Sequence, residues 1–251
     1  MTRYAVQPFA EPLSHAGSDV GVLVLHGFTG SPQTMRPVAD ALISAGFSVE
    51  LPRLPGHGTA VEELLTTGFD DWSGAVESAY AALSGCVERV AVVGLSMGGT
   101  LAAWLTARHP EIAGAVFVNA LVAPIDPAML AMVDEMVQAG ETVAPGIGSD
   151  IADPDAIENA YEGTPLVPLQ SLAAGVVALQ AALANISCPV LIMTSVDDHV
   201  VEPSNSDHLA SAVSGPVERV ALERSYHVAT LDYDKDLIIE RTIDFVRKVT
   251  A

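Results

Sequence analysis

RVAVVGLSMGGTLAAWLT, residues Arg89 to Thr106, decides how the chain is read. Val90, Ala91, Val92 and Val93 form a short apolar run rich in β-branched side chains, which reads as a buried strand. Leu101, Ala102, Trp104 and Leu105 then recur at helical spacing. Between the two lies Gly94-Leu95-Ser96-Met97-Gly98, a G-x-S-x-G pattern. A serine on so sharp a strand-to-helix turn is held in a strained backbone conformation with its hydroxyl pushed into the open. Glycines on either side let strand and helix approach closely.

Working outward, strand-like and helix-like segments alternate. Val20–Leu25 reads as a buried strand, Pro37–Ala45 as a helix with proline in its first turn and Gly46 as its stop, and Phe47–Leu51 as a strand. Phe69-Asp70-Asp71-Trp72 opens a helix to about Leu83, with acids where the helix dipole favours them. Ala113–Asn119 is a further strand. The alternation then stops. Up to about Ala184 no convincing strand is visible, and helix starts are read at Asp126-Pro127, at Asp153-Pro154 (leading to Tyr161) and at Pro168. The last carries Leu169, Leu172, Val176, Leu179 and Leu183 on one face. The pattern resumes with Val190–Thr194, Ser204–Val213, Val217–Leu222 and Lys235–Val249. Repeated β-α units imply a mostly parallel sheet with helices on both faces, whose ligands bind beyond the carboxyl ends of the strands. The organisation expected is an α/β core of residues 1–119 and 185–251 with a helical cap, 120–184.

The totals exclude several classes. A chain of 251 residues suits one large α/β domain or one domain with an insertion. With 11 Lys+Arg against 31 Asp+Glu, the net charge of −20 repels phosphate backbones and anionic headgroups. No nucleic acid and a neutral substrate are therefore expected. Met1–Pro8 lacks the apolar core of a signal peptide, which points to the cytoplasm. The uncharged stretches Val90–Ala107 and Leu172–Val196 each read as a strand and a helix of a core rather than as a stable membrane span. Cys86 and Cys188 make no C-x-x-C and are expected to be buried thiols. The glycines at 94–99 lack G-x-G-x-x-G spacing and no P-loop lysine follows. Neither H-E-x-x-H nor a Cys/His cluster is present, so neither cofactor nor metal is expected.

Gly94–Gly98 resembles the nucleophile elbow of the α/β-hydrolase family. His26-Gly27-Phe28-Thr29-Gly30 resembles that family's oxyanion loop, and Ser225-Tyr226-His227 its catalytic histidine segment. With HGFTGSPQTMRP, LPRLPGHGT, GLSMGGT, DHVV and RSYHVATLD in order, the likeness runs from about Val20 to the end of the chain. It is greatest to the small bacterial carboxylesterases and monoacylglycerol lipases. The resemblance implies the α/β-hydrolase fold, with a small helical cap inserted after the sixth core strand.

A serine hydroxyl needs a base within reach, and on this fold the partners follow in the order Ser, Asp, His. His15, His26 and His57 precede Ser96. His109 sits at a helix end before Pro110, and His208 lies inside a helix. His199 directly follows a strand, where the acid usually sits. His227 follows the last strand and is the expected base. The acid is Asp197 or Asp198. Resemblance to the family's D-x-x-V turn, with Val201 in place, selects Asp198. The backbone N–H groups of Met97 and Phe28 are the expected oxyanion donors. His26 and Gly56-His57-Gly58 read as structural. Met129, Met132, Met136, Leu166, Leu169 and Val176 either line an acyl channel or form the cap's contact with the body. A cap glutamate that helps to bind glycerol in the monoacylglycerol lipases matches Glu158. The expected function is a serine carboxylic-ester hydrolase for monoacylglycerols or short- and medium-chain esters. The competing readings are a thioesterase or carbon–carbon hydrolase on the same fold, or a ligand-binding protein of low turnover. Epoxide hydrolases and haloalkane dehalogenases are disfavoured because they place Asp where Ser96 stands.

Overall fold

The computed structural model describes residues 6–146 and 148–251. Residues 1–5, which open the stretch read for a signal peptide, lie outside it. In chain order the strands are β1 (Leu13–His15), β2 (Val20–Leu25), β3 (Ser48–Leu51), β4 (Arg89–Leu95), β5 (Gly114–Val118), β6 (Val143–Pro145), β7 (Gly163–Pro165), β8 (Val190–Ser195) and β9 (Val217–Leu222). The helices are α1 (Arg36–Ser44), α2 (Val61–Leu64), α3 (Phe69–Ser84), α4 (Met97–Thr106), α5 (Pro127–Gln138), α6 (Leu166–Leu179), α7 (Ser204–Ala212) and α8 (Lys235–Val249). Seven strands form one sheet in the order β1-β3-β2-β4-β5-β8-β9, with β1 antiparallel to β3 and all other pairs parallel. This is the α/β-hydrolase architecture.

Strand alternation splits the core between the two faces of the sheet. Leu23, Leu25, Val90, Val92 and Phe117 face α3, α4 and α6, and Trp72 is fully buried among them. Val22, Val24, Ala91, Val93 and Val116 face α1 and α8, where Val38, Leu42, Ile238 and Phe245 close the other side. A sheet covered on both faces requires strands that are apolar at every position. That is why β2 and β4 read as continuous apolar runs. α4 is buried nearly all round, which explains its small, uncharged sequence.

The region between β5 and β8 departs from expectation in several ways. It follows the fifth strand in chain order, not a sixth. It contains a two-stranded antiparallel ribbon, β6–β7, where no strand was legible. The helix expected from Asp153-Pro154 does not form. Asp153 Oδ1 does accept from Asp155 N at 3.0 Å, as a cap would. However, Asn159 N donates to Gln33 Oε1 and Tyr161 N to Thr29 O, both at 3.1 Å, where a helix would pair them internally. The chain turns after Asp153 and continues irregularly to Tyr161. α5 starts as expected, with Asp126 capping Ala128 N. The helical run Leu166–Asn185 is long and apolar enough to cross a membrane by length and composition. Leu172, Val176, Leu179 and Leu183 bury its apolar face in the core beside Phe69 and Trp72. Of the cysteines, Cys188 is partly buried, but Cys86 is exposed in the turn after α3, contrary to expectation.

Candidate active site

Ser96 stands where β4 ends and α4 begins, with φ 55° and ψ −120°. This left-handed backbone is rare for a residue with a Cβ and is held by its surroundings. A Cβ on Gly94 would overlap the carbonyl of Gly98, one on Gly98 would overlap the carbonyl of Leu25, and one on Gly99 would overlap the Ala120 side chain. Ser96 N donates to Val118 O at 3.0 Å, and Ser96 O accepts from Thr100 N and Leu121 N. Among the described residues its hydroxyl makes no hydrogen bond. Catalytic hydrogen bonds are commonly long in the absence of substrate.

The loop after β2 passes beside the serine. A Cβ on Gly27 would lie 3.3 Å from Ser96 Cβ. The N–H groups of Phe28 and Met97 have no acceptor among the described residues, so the two expected oxyanion donors are unspent. His26 braces this loop: its Nε2 accepts from Leu54 N at 3.1 Å and its Nδ1 lies 3.0 Å from Gly27 O. Burial, helped by the neighbouring His57, lowers the His26 pKa to about 3, so the ring is neutral. Burial likewise lowers His57 to about 4, against the opposing effect of the Pro55 and Leu54 carbonyls. His57 packs edge-on against Phe28 and Trp72, with centroids 6.2 and 5.6 Å apart, so both histidines support the Phe28 loop from below.

His227 and Asp198 meet across 29 residues of sequence, Nδ1 to Oδ2 at 2.8 Å. Their side chains are 8% and 1% exposed. The other carboxylate oxygen of Asp198 accepts from Val200 N and Val201 N at 2.9 and 2.8 Å, which closes the turn after β8. Asp197, the alternative acid, is exposed. The other candidate histidines are engaged elsewhere. His109 lies between Glu77 and Glu111, His208 bonds Gln180, and His199 bonds Asp150.

Several contributors were not legible in the sequence. Asn119, buried at the end of β5 with φ 46°, donates to His227 O at 2.8 Å and to Ser195 Oγ at 2.9 Å, and its own oxygen accepts from Ser195 N at 2.7 Å. It ties the end of β8 to the His227 loop. Asp232 accepts from Tyr226 N and Tyr233 N as well as from Ala152 N and Asp153 N, fastening the inserted region to that same loop. The only available signals were a lone amide ending an apolar strand and an aspartate in the motif YHVATLD.

Glu158 is partly buried, and a Cβ on Gly30 would lie 3.6 Å from its Oε1. Burial raises its carboxyl above the ordinary value, Asp150 adds to the rise, and the Ser149 hydroxyl and His227 oppose it. Its segment is pinned to the oxyanion loop: Gln33 Nε2 donates to Ile157 O at 2.8 Å and Tyr161 N to Thr29 O at 3.1 Å. Leu166, Leu169 and Val133 are buried together, with Phe28 and Met136 packed against them. Met129 and Met132 lie outside that cluster, 46% and 57% exposed, and Val176 belongs to the main core.

The chain matches the family described as serine aminopeptidase, S33, over residues 18–234. It is 46% identical over 249 residues to a thermostable monoacylglycerol lipase of Bacillus sp. (strain H-257), covering 98% of each chain. It is 27% identical over 245 residues to a carboxylesterase of Bacillus subtilis (strain 168), covering 95% of this chain and 97% of that one. Among solved structures, one from the metagenome-derived lipolytic enzymes LipS and LipT superposes with a TM-score of 0.93 at 41% identity, over 97% of this chain and 100% of that one. The chain is a serine hydrolase belonging to the α/β-hydrolase family described as serine aminopeptidase, S33.

Proposed function

We propose that the chain is a carboxylic-ester hydrolase that cleaves monoacylglycerols and short- to medium-chain esters through an acyl-enzyme on Ser96. The observation that carries this reading is the buried His227–Asp198 pair, 2.8 Å apart, on the same rim as a serine whose hydroxyl makes no hydrogen bond among the described residues. Ser96 Oγ attacks the ester carbonyl while His227 Nε2 takes its proton. Asp198 holds the imidazole in one tautomer and stabilises the imidazolium. The oxyanion is received by Phe28 N–H and Met97 N–H, at the positive end of α4. His227 then protonates the leaving alcohol, and water releases the acid by the same route.

The substrate class rests on two features. The apolar group of Phe28, Val133, Leu166 and Leu169 gives an acyl chain a surface to lie against. Glu158 sets a carboxyl beside Gly30 of the oxyanion loop, where a glycerol hydroxyl can donate to it. Residues 120–184 act as the cap that supplies Glu158 and, beside Phe28 of the core, the rest of the apolar group. The relatives named as a monoacylglycerol lipase and a carboxylesterase support the same substrates. A neutral ester suits a chain of net charge −20.

The test is a hydrolysis profile over monoacylglycerols of graded chain length beside di- and triacylglycerols. Monoacylglycerols and short esters should be cleaved readily and triacylglycerols poorly, as the reading of a site for one acyl chain requires. Preferred cleavage of triacylglycerol would refute the one-chain pocket. Turnover of thioesters or carbon–carbon substrates alone would move the assignment within the fold, and binding without turnover would make the chain a ligand-binding protein.

A further inference from the structure

Asp150 lies in the inserted region, yet its contacts are with the two loops that carry the acid and the base. Its Oδ2 accepts from His227 N at 3.0 Å and from His199 N at 3.2 Å. Its Oδ1 lies 2.8 Å from His199 Nδ1, and its main-chain oxygen accepts from Val228 N at 3.1 Å. Its side chain is 14% exposed, and among the described residues no lysine or arginine pairs with it. One residue of the insertion therefore takes the main-chain N–H groups of the residue after Asp198, of the base itself and of the residue after the base. On its other side the His227 carbonyl is held by Asn119, a residue of the core. The main chain of His227 is thus gripped from two sides, once by the sheet and once by the insertion.

From this we infer that Asp150 is a positioning residue: the insertion sets the placement of His227 as well as any surface it offers to substrate. The inference rests on the proposed role of His227 as base. The physical reason is directional. Asp198 fixes the imidazole through Nδ1, but a ring held at one atom still follows its backbone. Losing an acceptor at His227 N frees that backbone to shift. A displacement of about 1 Å at a reacting group can cost on the order of 10²-fold in rate.

The experiment reads Ser96 reactivity with a probe too small to need an acyl pocket, the organophosphate diisopropyl fluorophosphate. It forms a phosphorus–oxygen bond to Ser96 Oγ, expels fluoride, and sends the hydroxyl proton to His227. Asp150→Ala should slow this phosphorylation and lower kcat on a p-nitrophenyl ester by roughly 10- to 100-fold, with KM within about threefold of wild type. Asp150→Asn keeps an acceptor for His227 N and should recover most of the rate. Should Asp150→Ala fail to fold, Asp150→Glu carries the same test, since its carboxylate is displaced by one methylene and should also slow phosphorylation. Wild-type phosphorylation rates in the folded variants, or a change confined to KM, would overturn the inference and leave Asp150 as part of a substrate wall. Failure of the wild-type protein to be labelled at Ser96 would instead overturn the proposed function itself.

Discussion

Ser96 and His227 reach the same rim of the sheet by unlike routes. Around Ser96 the constraint is local and steric: Gly94, Gly98 and Gly99 leave no room for a Cβ, so the turn from β4 to α4 can close in only one way. Around His227 the constraint is distant and polar. Its carbonyl is bonded by Asn119, 108 residues away, its N–H by Asp150, 77 residues away, and its ring by Asp198. A nucleophile whose backbone is strained needs packing to hold it. A base that must shuttle a proton needs a fixed main chain and a free Nε2, which hydrogen bonds from three directions supply. The contrast implies that enlarging the glycines around Ser96 should appear first as lost stability, and breaking the bonds around His227 first as lost rate.

The largest expected effect is on the polar side. Asp198→Asn should lower kcat by about 10⁴-fold with little change in KM, because the amide favours the wrong tautomer of His227. A loss below tenfold would remove Asp198 from the mechanism. On the steric side, Gly98→Ala forces a Cβ into the carbonyls of Leu25 and His26. It should cost about 3 kcal/mol or more of unfolding free energy in urea melts. Stability within experimental error of wild type would show that the turn is looser than the packing implies. Asn119→Ala leaves buried groups on Ser195 and His227 without a partner and should cost about 1–3 kcal/mol, accompanied by a fall in kcat. If it lowered stability but left kcat intact, the claim that this side acts on rate would fail.

Two smaller effects depend on pH. His26 and His57 are buried neutral, with values lowered to about 3 and about 4, while the unfolded chain titrates near the ordinary 6.5. Unfolding therefore takes up protons. The stability these rings contribute is complete above 6.5 and is lost as pH falls toward 4 and 3, at up to about 1.4 kcal/mol per pH unit for each. Urea midpoints between pH 7 and 4 should show this slope, and His57→Gln should flatten it; an unchanged slope would place the acid sensitivity elsewhere. Glu158 has the opposite sign. Its folded value is raised, so the stability it contributes is present below the ordinary carboxylate value and is lost as pH rises through the folded one. Glu158→Gln should be more stable than wild type at neutral pH, with the gap closing on acidification. A gap that widened toward low pH would contradict the buried carboxyl.

The same local–distant divide governs what could be read from the sequence. The elbow was legible because every determinant lies between Gly94 and Gly99. The strands β2, β4, β5 and β8 were legible because burial on both faces writes apolar runs. His227 followed from chain order once the fold was assumed. Asp198 could be separated from Asp197 only through the family's D-x-x-V turn, since which carboxylate faces the imidazole is set by how Val200 N and Val201 N close the loop. Asp153-Pro154 carried a helix start that did not propagate, because Asn159 N, Tyr161 N and the Ile157 carbonyl, which a helix would pair internally, bond instead to Gln33 and Thr29. Strands of three residues such as β6 and β7, each with a proline at its end, hold too little periodicity to be seen. Asp150 gave no local signal, and Asn119 only that of a lone amide ending an apolar strand, because their partners are chosen by the fold.

The most direct test of a serine activated at this rim is the ratio of kcat/KM for Ser96→Ala to that of wild type on p-nitrophenyl butyrate, with folding of the variant checked by circular dichroism. The expected result is a loss of about four orders of magnitude or more, leaving only the slow reaction supported by binding and the oxyanion donors. A folded Ser96→Ala protein that hydrolyses the ester within tenfold of wild type would contradict the account.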